Sequence, residues 1–457
     1  MLNPSRCHGQ LISFAHLSSF TACRAHMSDK EHARRHVKWF RDSSPYINAH
    51  RGRTFVIYVD GAGLSHDNFP LIIQDIVLLH SLGVRIVLVY GATPQINRNL
   101  ARRGIVSESA EGIRITTAEM LPHVQEVVGR LRSDIESMLS MGATNSPQHG
   151  ADIAVVSGNV IRARPLGVRD GIDFHNTGEI RRVNADLIAR LLSMRTLLLV
   201  SPLGYSLSGQ MFNLHGSALA ADVAVALGAD KLIYLASENG VKDSQGDVIT
   251  ELQADAIKPD EYPPYSPVAQ AREACLRGVP RCHLISFRDD GSLLEELFTR
   301  DGIGTQITET SYEQIRAAAA DDISGIMELL APLEASGTLL KRPRETLETE
   351  ISRFLIIERD GMVVGCAALY PYDTRAELAC LATHPDYRND NRGEMLLDAI
   401  EANARTLGVK TIFALTTHTA QWFSDHGFIP GSTKDLPSEK RALYNYQRNS
   451  KVLVKTL

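Results

Sequence analysis

From residue 53 onward the chain alternates two hydrophobic rhythms. Short runs in which nearly every position is apolar have the pattern of strands buried on both faces: RTFVIYV (53–59), VRIVLVYG (84–91), ADIAVVSG (151–158), TLLLVSP (196–202), DKLIYLA (230–236) and RCHLISF (281–287). Between them lie stretches with helical spacing: FPLIIQDIVLLHSLG (69–83), ending on Gly83, then LHGSALAADVAVALG (214–228) and SPVAQAREACLRG (266–278). Strands alternating with helices predict a mostly parallel, three-layer α/β unit over about 45–304. The polar segment ITETSYEQ (307–314) has no apolar period and predicts a linker. Beyond it the order changes. A strand and helix (315–337) precede RFLIIERDGMVVGCAALYPY (353–372), a hairpin around Asp360-Gly361. Then come the strand AELACLAT (376–383), the helix EMLLDAIEANAR (394–405), the strand TIFALTT (411–417), a short helix near 419–426 and a last strand within 442–457. That order predicts a second, mixed-sheet α/β domain over 315–457.

A chain of 457 residues accommodates two or three domains of about 150 residues each. The net charge of −5 supplies no overall basic field to recruit nucleic acid. No apolar run approaches the ~18 residues that span a bilayer, so no membrane partner is expected. Six scattered cysteines without CxxC spacing suit a reduced, cytoplasmic setting without structural zinc or disulfides. Residues 1–26 lack Asp and Glu. They read either as a transit peptide for an organelle or, in preference, as a segment ahead of a start at Met27. MSDKEHARRHVKWF (27–40) then forms an amphipathic helix capped by Ser28.

The most informative stretch is HPDYRNDNRGEML (384–396), between a predicted strand and a predicted helix. A polar turn there presents backbone N–H groups to an anion at the helix N-terminus. The spacing Arg388-x-x-Asn391-x-Gly393 resembles the acyl-CoA pyrophosphate loop of the GNAT acetyltransferases, usually R/Q-x-x-G-x-G/A. Asn391 stands where glycine is frequent, and asparagine tolerates positive φ. The resemblance implies acetyl-CoA contacts from Arg388, Asn389, Asp390, Asn391, Arg392, Gly393 and Glu394. It also implies backbone donors for the thioester oxygen from Cys380, Leu381, Ala382 and Thr383.

The resemblance then widens. SPYINAHRG (44–52), LLHSLGVRIVLVYGATPQI (78–96), RCHLISF (281–287), ELFTRDGIGTQI (296–307), THPDYRNDNRGEMLL (383–397) and YNYQRNSKVL (444–453) are similar, in order, to the bacterial two-domain N-acetylglutamate synthases. That family joins an amino-acid-kinase-like domain to a GNAT domain. The implied partition is 1–26 extension, 27–306 kinase-like, 307–314 linker and 315–457 acetyltransferase. The implied activity uses acetyl-CoA as co-substrate, with no bound cofactor or metal, to acetylate L-glutamate at the start of arginine biosynthesis. L-arginine would act as effector on a homo-oligomer, a hexamer by resemblance.

Glu377 matches the family's general base, and burial makes any carboxylate a better proton acceptor. Leu340 (through its main chain), Arg342, Arg448 and Ser450 match positions holding the two substrate carboxylates, for which guanidinium forks are suited. Lys341 and Arg344 flank Arg342. Thr416, Tyr444 and Tyr446 are candidates to protonate the departing thiolate. Cys380 suggests an acyl-enzyme, but no histidine is spaced to activate it and the superfamily transfers directly, so it is assigned to the wall.

The kinase-like half departs from working kinases. Their K-x-G-G is Tyr58-Val59-Asp60-Gly61 here, Ser217 stands in FNLHGSA (212–218) where a catalytic Asp belongs, and TDxxG reads ASENG (236–240). Phosphoryl transfer is not expected. Tyr46, His283, Glu296, Gly302 and Gly304 match the effector site of arginine-regulated relatives. Glu296 capping a plain Gly302/Gly304 turn is the alternative. A bifunctional synthase/kinase and a non-catalytic arginine and CoA sensor are the rival readings of the chain.

Overall fold

The computed structural model describes residues 29–457 except 142–152, 300–301, 310–312, 360–361, 388–390, 443 and 445–449. The chain divides into two compact units, Met1–Glu309 and Thr310–Leu457.

In the first unit the described residues form an eight-stranded sheet. Its strands run in the order 251–253, 305–308, 281–286, 231–236, 54–59, 85–90, 197–200 and 155–157. Neighbours are parallel except 281–286 against 305–308. Successive residues of one strand face opposite layers. Phe55, Ile57 and Val59 join a core with helices 69–81, 93–102 and 121–141, while Val56 and Tyr58 join a second core with helices 185–193, 216–227 and 267–276. This is the three-layer architecture expected. A four-stranded sheet, 211–213, 203–205, 161–165 and 178–183, was not foreseen.

The N-terminal helix runs Asp29–His50, ten residues past its predicted end at residue 40. Its second half docks. His50 Nε2 lies 2.8 Å from the Leu297 carbonyl, and the His50 ring packs edge-on to Phe55 at 5.3 Å. Ser28, its predicted cap, lies outside the described residues.

The predicted linker 307–314 is too long at both ends. Residues 305–308 are a strand paired with 281–284, and Glu313–Ala317 pairs with Arg359–Leu355. Both flanks satisfy their backbone groups in a sheet, which their polar side chains conceal.

The second unit is a seven-stranded mixed sheet. Its strands are β1 (Glu313–Ala317), β2 (Phe354–Arg359), β3 (Met362–Tyr372), β4 (Arg375–Thr383), β5 (Thr411–Thr416), β6 (Ile429–Pro430) and β7 (Lys451–Thr456), in the order β1-β2-β3-β4-β5-β7-β6. Helices α1 (Ile323–Ala335), α2 (Arg344–Glu350), α3 (Arg392–Thr406), α4 (Ala420–Asp425) and α5 (Ser438–Ala442) accompany it. The predicted hairpin is β2 with β3; Asp360 and Gly361 lie outside the described residues. α3 buries Leu396, Leu397 and Ile400 against β2, β3 and β4.

Candidate active site

Two irregularities in one sheet open the site. Along β3 and β4 the register passes from Ala368↔Ala379 to Cys366↔Ala382, three steps on β4 against two on β3. The extra residue makes a β-bulge, and Cys380 takes φ 52° within it. On its other edge β4 pairs with β5 only from Arg375↔Thr411 to Leu378↔Ala414, although both strands continue. Past Leu378 the two strands part, leaving main-chain groups of β4 facing a gap.

The gap widens into a cleft of about 690 Å³. One end meets the start of α3, where Asn391 adopts the left-handed conformation, φ 51° and ψ 12°. Gly393 lets Trp422 approach closely: a Cβ there would sit 3.2 Å from the indole. The indole stacks on His426 with ring centroids 4.1 Å apart. The N-terminal turn of a fifteen-residue helix thus opens toward a slot with an aromatic side.

Glu377, Cys380, Leu381, Ala382, Thr383, Asn391, Gly393, Glu394, Leu340, Arg342, Thr416 and Ser450, all predicted from sequence, line this one cleft. Arg388, Asn389, Asp390, Arg448 and Tyr446 lie outside the described residues.

Glu377 is buried, and its Oε2 lies 2.6 Å from Lys440 Nζ of α5. Sequence reasoning missed Lys440, which had no motif to mark it. Arg342 is half-buried and stands 6.0 Å from the centre of the Tyr370 ring; its backbone N–H donates to Glu334 Oε1 at 3.0 Å. Neighbouring Arg344 pairs instead with Glu348 along its own helix at 2.9 Å. Burial pushes the Cys380 thiol up to about 11, so it stays protonated at neutral pH, consistent with a wall position.

Two expectations are corrected. The Arg392 side chain does not face the slot. It is buried, its Nε lies 2.8 and 2.9 Å from the two Glu313 carboxylate oxygens, and its ring contact with Tyr387 is at 4.8 Å. An arginine at the first helical position turned inward anchors α3 to β1. Thr416 is committed to the turn into α4. Its hydroxyl accepts the N–H groups of His418 (3.3 Å) and Thr419 (3.0 Å) and bonds Thr419 Oγ1 at 2.8 Å. Tyr444 likewise donates to the Ser450 carbonyl at 2.6 Å.

In the first unit a buried chain joins three of the groups there. Lys231 Nζ lies 3.0 Å from His283 Nε2, and His283 Nδ1 lies 2.6 Å from Glu296 Oε1. An ammonium only donates, so His283 accepts at Nε2 and donates from Nδ1. Burial, then Lys231, lowers the His283 pKa to about 4 and keeps it neutral. Glu296 Oε2 accepts the N–H groups of Ile303 (2.8 Å) and Gly304 (3.0 Å). A Cβ at Gly302 would sit 2.5 Å from that oxygen, and one at Gly304 2.2 Å from the Leu284 carbonyl. Both glycines are therefore needed for close approach. Tyr46 lies on the docked face of the N-terminal helix, between Ser43 and His50, and packs on the same core.

The end of this unit where kinases of the family carry K-x-G-G is filled by Tyr58. A Cβ at Gly91 would lie 2.6 Å from the Tyr58 hydroxyl, and one at Gly216 2.8 Å from its ring. Tyr58 packs edge-on to Tyr234 at 5.6 Å, and burial followed by Asp60 holds its phenol protonated. Among the described residues no group of three His, Cys, Asp or Glu could hold a metal ion, and no helix is long and apolar enough to cross a membrane.

A split-strand slot beside a left-handed turn and helix start, in a seven-stranded mixed sheet, defines a coenzyme A-dependent acyltransferase of the GNAT type. Residues 53–286 match the amino acid kinase family and 350–430 the acetyltransferase (GNAT) domain. Amino-acid acetyltransferases of Pseudomonas fluorescens and Pseudomonas putida are each 48% identical, over 92% of this chain and 99% of their own length. The crystal structure of N-acetylglutamate synthase from Neisseria gonorrhoeae with coenzyme A and L-arginine superposes with a TM-score of 0.85, at 37% identity over 92% of this chain and 99% of that one. The same enzyme with coenzyme A and N-acetyl-glutamate gives 0.59 at 38% identity and the same coverage. The chain belongs to the amino-acid acetyltransferase family.

Proposed function

We propose that this acetyltransferase moves the acetyl group of acetyl-CoA to the α-amine of L-glutamate, giving N-acetyl-L-glutamate and CoA at the head of arginine biosynthesis. The observation that carries the reading is the buried carboxylate of Glu377 on the wall of the CoA-sized cleft, with Arg342, Lys440 and Ser450 around it. Glu377 takes the proton from the substrate ammonium, since only the free amine attacks a thioester. The main-chain groups of β4 beyond its bulge stabilise the carbonyl oxygen as charge develops. Arg342, Arg448, Ser450 and the main chain at Leu340 hold the carboxylates and orient the amine. A thiolate is a tolerable leaving group, so the turn-bound Thr416 hydroxyl need not supply a proton.

L-arginine is the proposed feedback effector, held by Tyr46, His283, Glu296 and the Gly302–Gly304 turn. The buried Glu296 carboxylate supports this, since it suits a guanidinium once its local donors are exchanged. Exposed Val37, Trp39 and Phe40 on the N-terminal helix support self-association. The neisserial structures, complexed with coenzyme A and either L-arginine or N-acetyl-glutamate, support the effector and acceptor readings.

The decisive measurement is CoA release across a panel of amino acids, with and without arginine. Glutamate should release CoA and arginine should suppress it. Arg448→Ala should raise the glutamate KM roughly tenfold or more, as loss of a charge-assisted hydrogen bond implies, with the acetyl-CoA KM unchanged. Equal rises in both would remove Arg448 from the acceptor site.

A further inference from the structure

The contact between Lys440 and Glu377 raises a difficulty that the proposed reaction must solve. The lysine side chain is 22% exposed and the carboxylate 8%, with 2.6 Å between Nζ and Oε2. An ammonium at that distance occupies the carboxylate oxygen that would have to accept the substrate's proton. The position a substrate ammonium must take is held by a cation of the same chemistry. The other groups that sense Glu377 are Arg342 ahead of α2, Tyr372 on β3 and Cys380 on its own strand, with Arg353, Glu350 and Glu439 further out around Tyr372 and Glu334 near Cys380. Burial raises the phenol and the thiol, which stay neutral near pH 7, so Lys440 is the cation in direct contact with Glu377, with Arg342 and Arg353 in the second rank.

An amino acid arrives with both halves of an exchange. Its ammonium matches Glu377, and its α-carboxylate, on the same carbon, comes within a few ångströms of the ammonium that Glu377 gives up. Swapping partners turns one buried ion pair into two and leaves no charge alone, whereas ejecting Lys440 without a new anion would strand it. Lys440 sits on the five-residue helix α5 near the surface, where a four-carbon stem can move its head without disturbing the sheet.

We propose that Lys440 is a positioning residue displaced by substrate: it guards Glu377 in the empty enzyme and passes to the α-carboxylate of the incoming amino acid, freeing Glu377 to take the ammonium proton. The device rests on the acceptor reading given above. It makes the base competent only when a carboxylate-bearing amine is in place, and it sets Lys440 among the residues that select the acceptor.

The test compares full-length wild type, Glu377→Gln, Lys440→Met and Lys440→Arg for CoA release as glutamate and acetyl-CoA are varied in turn. Calorimetric binding of CoA reports on the integrity of each variant. Lys440→Met should raise the glutamate KM roughly tenfold and leave the acetyl-CoA KM in place. Lys440→Arg, which keeps a cation for the substrate carboxylate, should restore the glutamate KM to within a few-fold of wild type. Lys440→Gln gives the same reading if the Met variant does not accumulate. A Met or Gln variant that binds CoA normally, with the glutamate KM unmoved, overturns the proposal while leaving the acetyltransferase reading intact. Wild type that releases no CoA with glutamate, or Glu377→Gln at full rate, overturns the underlying reading instead.

Discussion

At the scale of single residues, the site separates groups that do chemistry from groups that make room for it. Glu377→Gln should lower kcat by about 10²–10⁴-fold, the usual worth of a positioned base, with CoA affinity retained. Cys380→Ala should keep the rate within about tenfold, and mass spectrometry after acetyl-CoA exposure should find no acetylated protein, since the buried thiol is not a thiolate near pH 7. A stable acetyl adduct on Cys380 would reverse that assignment. Asn391 could be placed at the loop-to-helix turn from its spacing, whereas Glu377 was reached through the family resemblance; the structure puts both on the wall of one cleft. Lys440 was not legible in the sequence, since its partner comes from a distant strand and its own helix has only five residues. Arg392 was misread for a related reason. Proximity to an anion loop says nothing about which way a side chain turns, and here Glu313 on β1 decides it.

At the scale of elements, that buried pair ties the start of α3 to the edge of the sheet. Arg392→Ala should cost about 3 kcal/mol of unfolding free energy, the lower end for breaking a buried ion pair, because Arg359 still faces Glu313 at 3.3 Å. Urea unfolding followed by tryptophan emission would measure it, and Lys in place of Arg should recover only part, lacking the fork. The long apolar strands of both sheets were readable because complete burial leaves an almost unbroken apolar run. The helix 121–141 and the four-stranded sheet at 161–213 were not, because half-exposed elements carry as many polar as apolar positions. The bulge in β4 could not be read either: it is fixed by pairing with β3, not by the identity of residues 379–382.

For the molecule as a whole, acid should weaken the first unit before it harms the chemistry. His283 and His215 are held neutral by burial, each lowered to about 4. A histidine depressed in the fold contributes stability that is complete above its unfolded pKa of about 6.5 and is lost as pH falls toward 4. Asp75, raised to about 7 by burial and by Asp290, works in the opposite sense and gives up stability as pH rises through 7. His80, lowered by burial as well, sides with the other two histidines, so three groups against one leave a net loss of stability on acidification. Urea midpoints for the first unit's transition should therefore fall between pH 6.5 and 4. Midpoints that climb over that window would show that the two histidines are not buried as neutral bases.

The parted strands β4 and β5 have one more consequence, for how such an enzyme changes over generations. The seat for the acyl donor is built from peptide groups, which every amino acid carries alike, so drift along 378–383 leaves it standing while the bulge survives. On the acceptor reading proposed above, the pocket for the amine is built from side chains on short peripheral segments, and each substitution there alters it. Selection can therefore retarget this fold to a new amine by editing the rim around Arg342 and Lys440, while the donor half persists as inherited architecture.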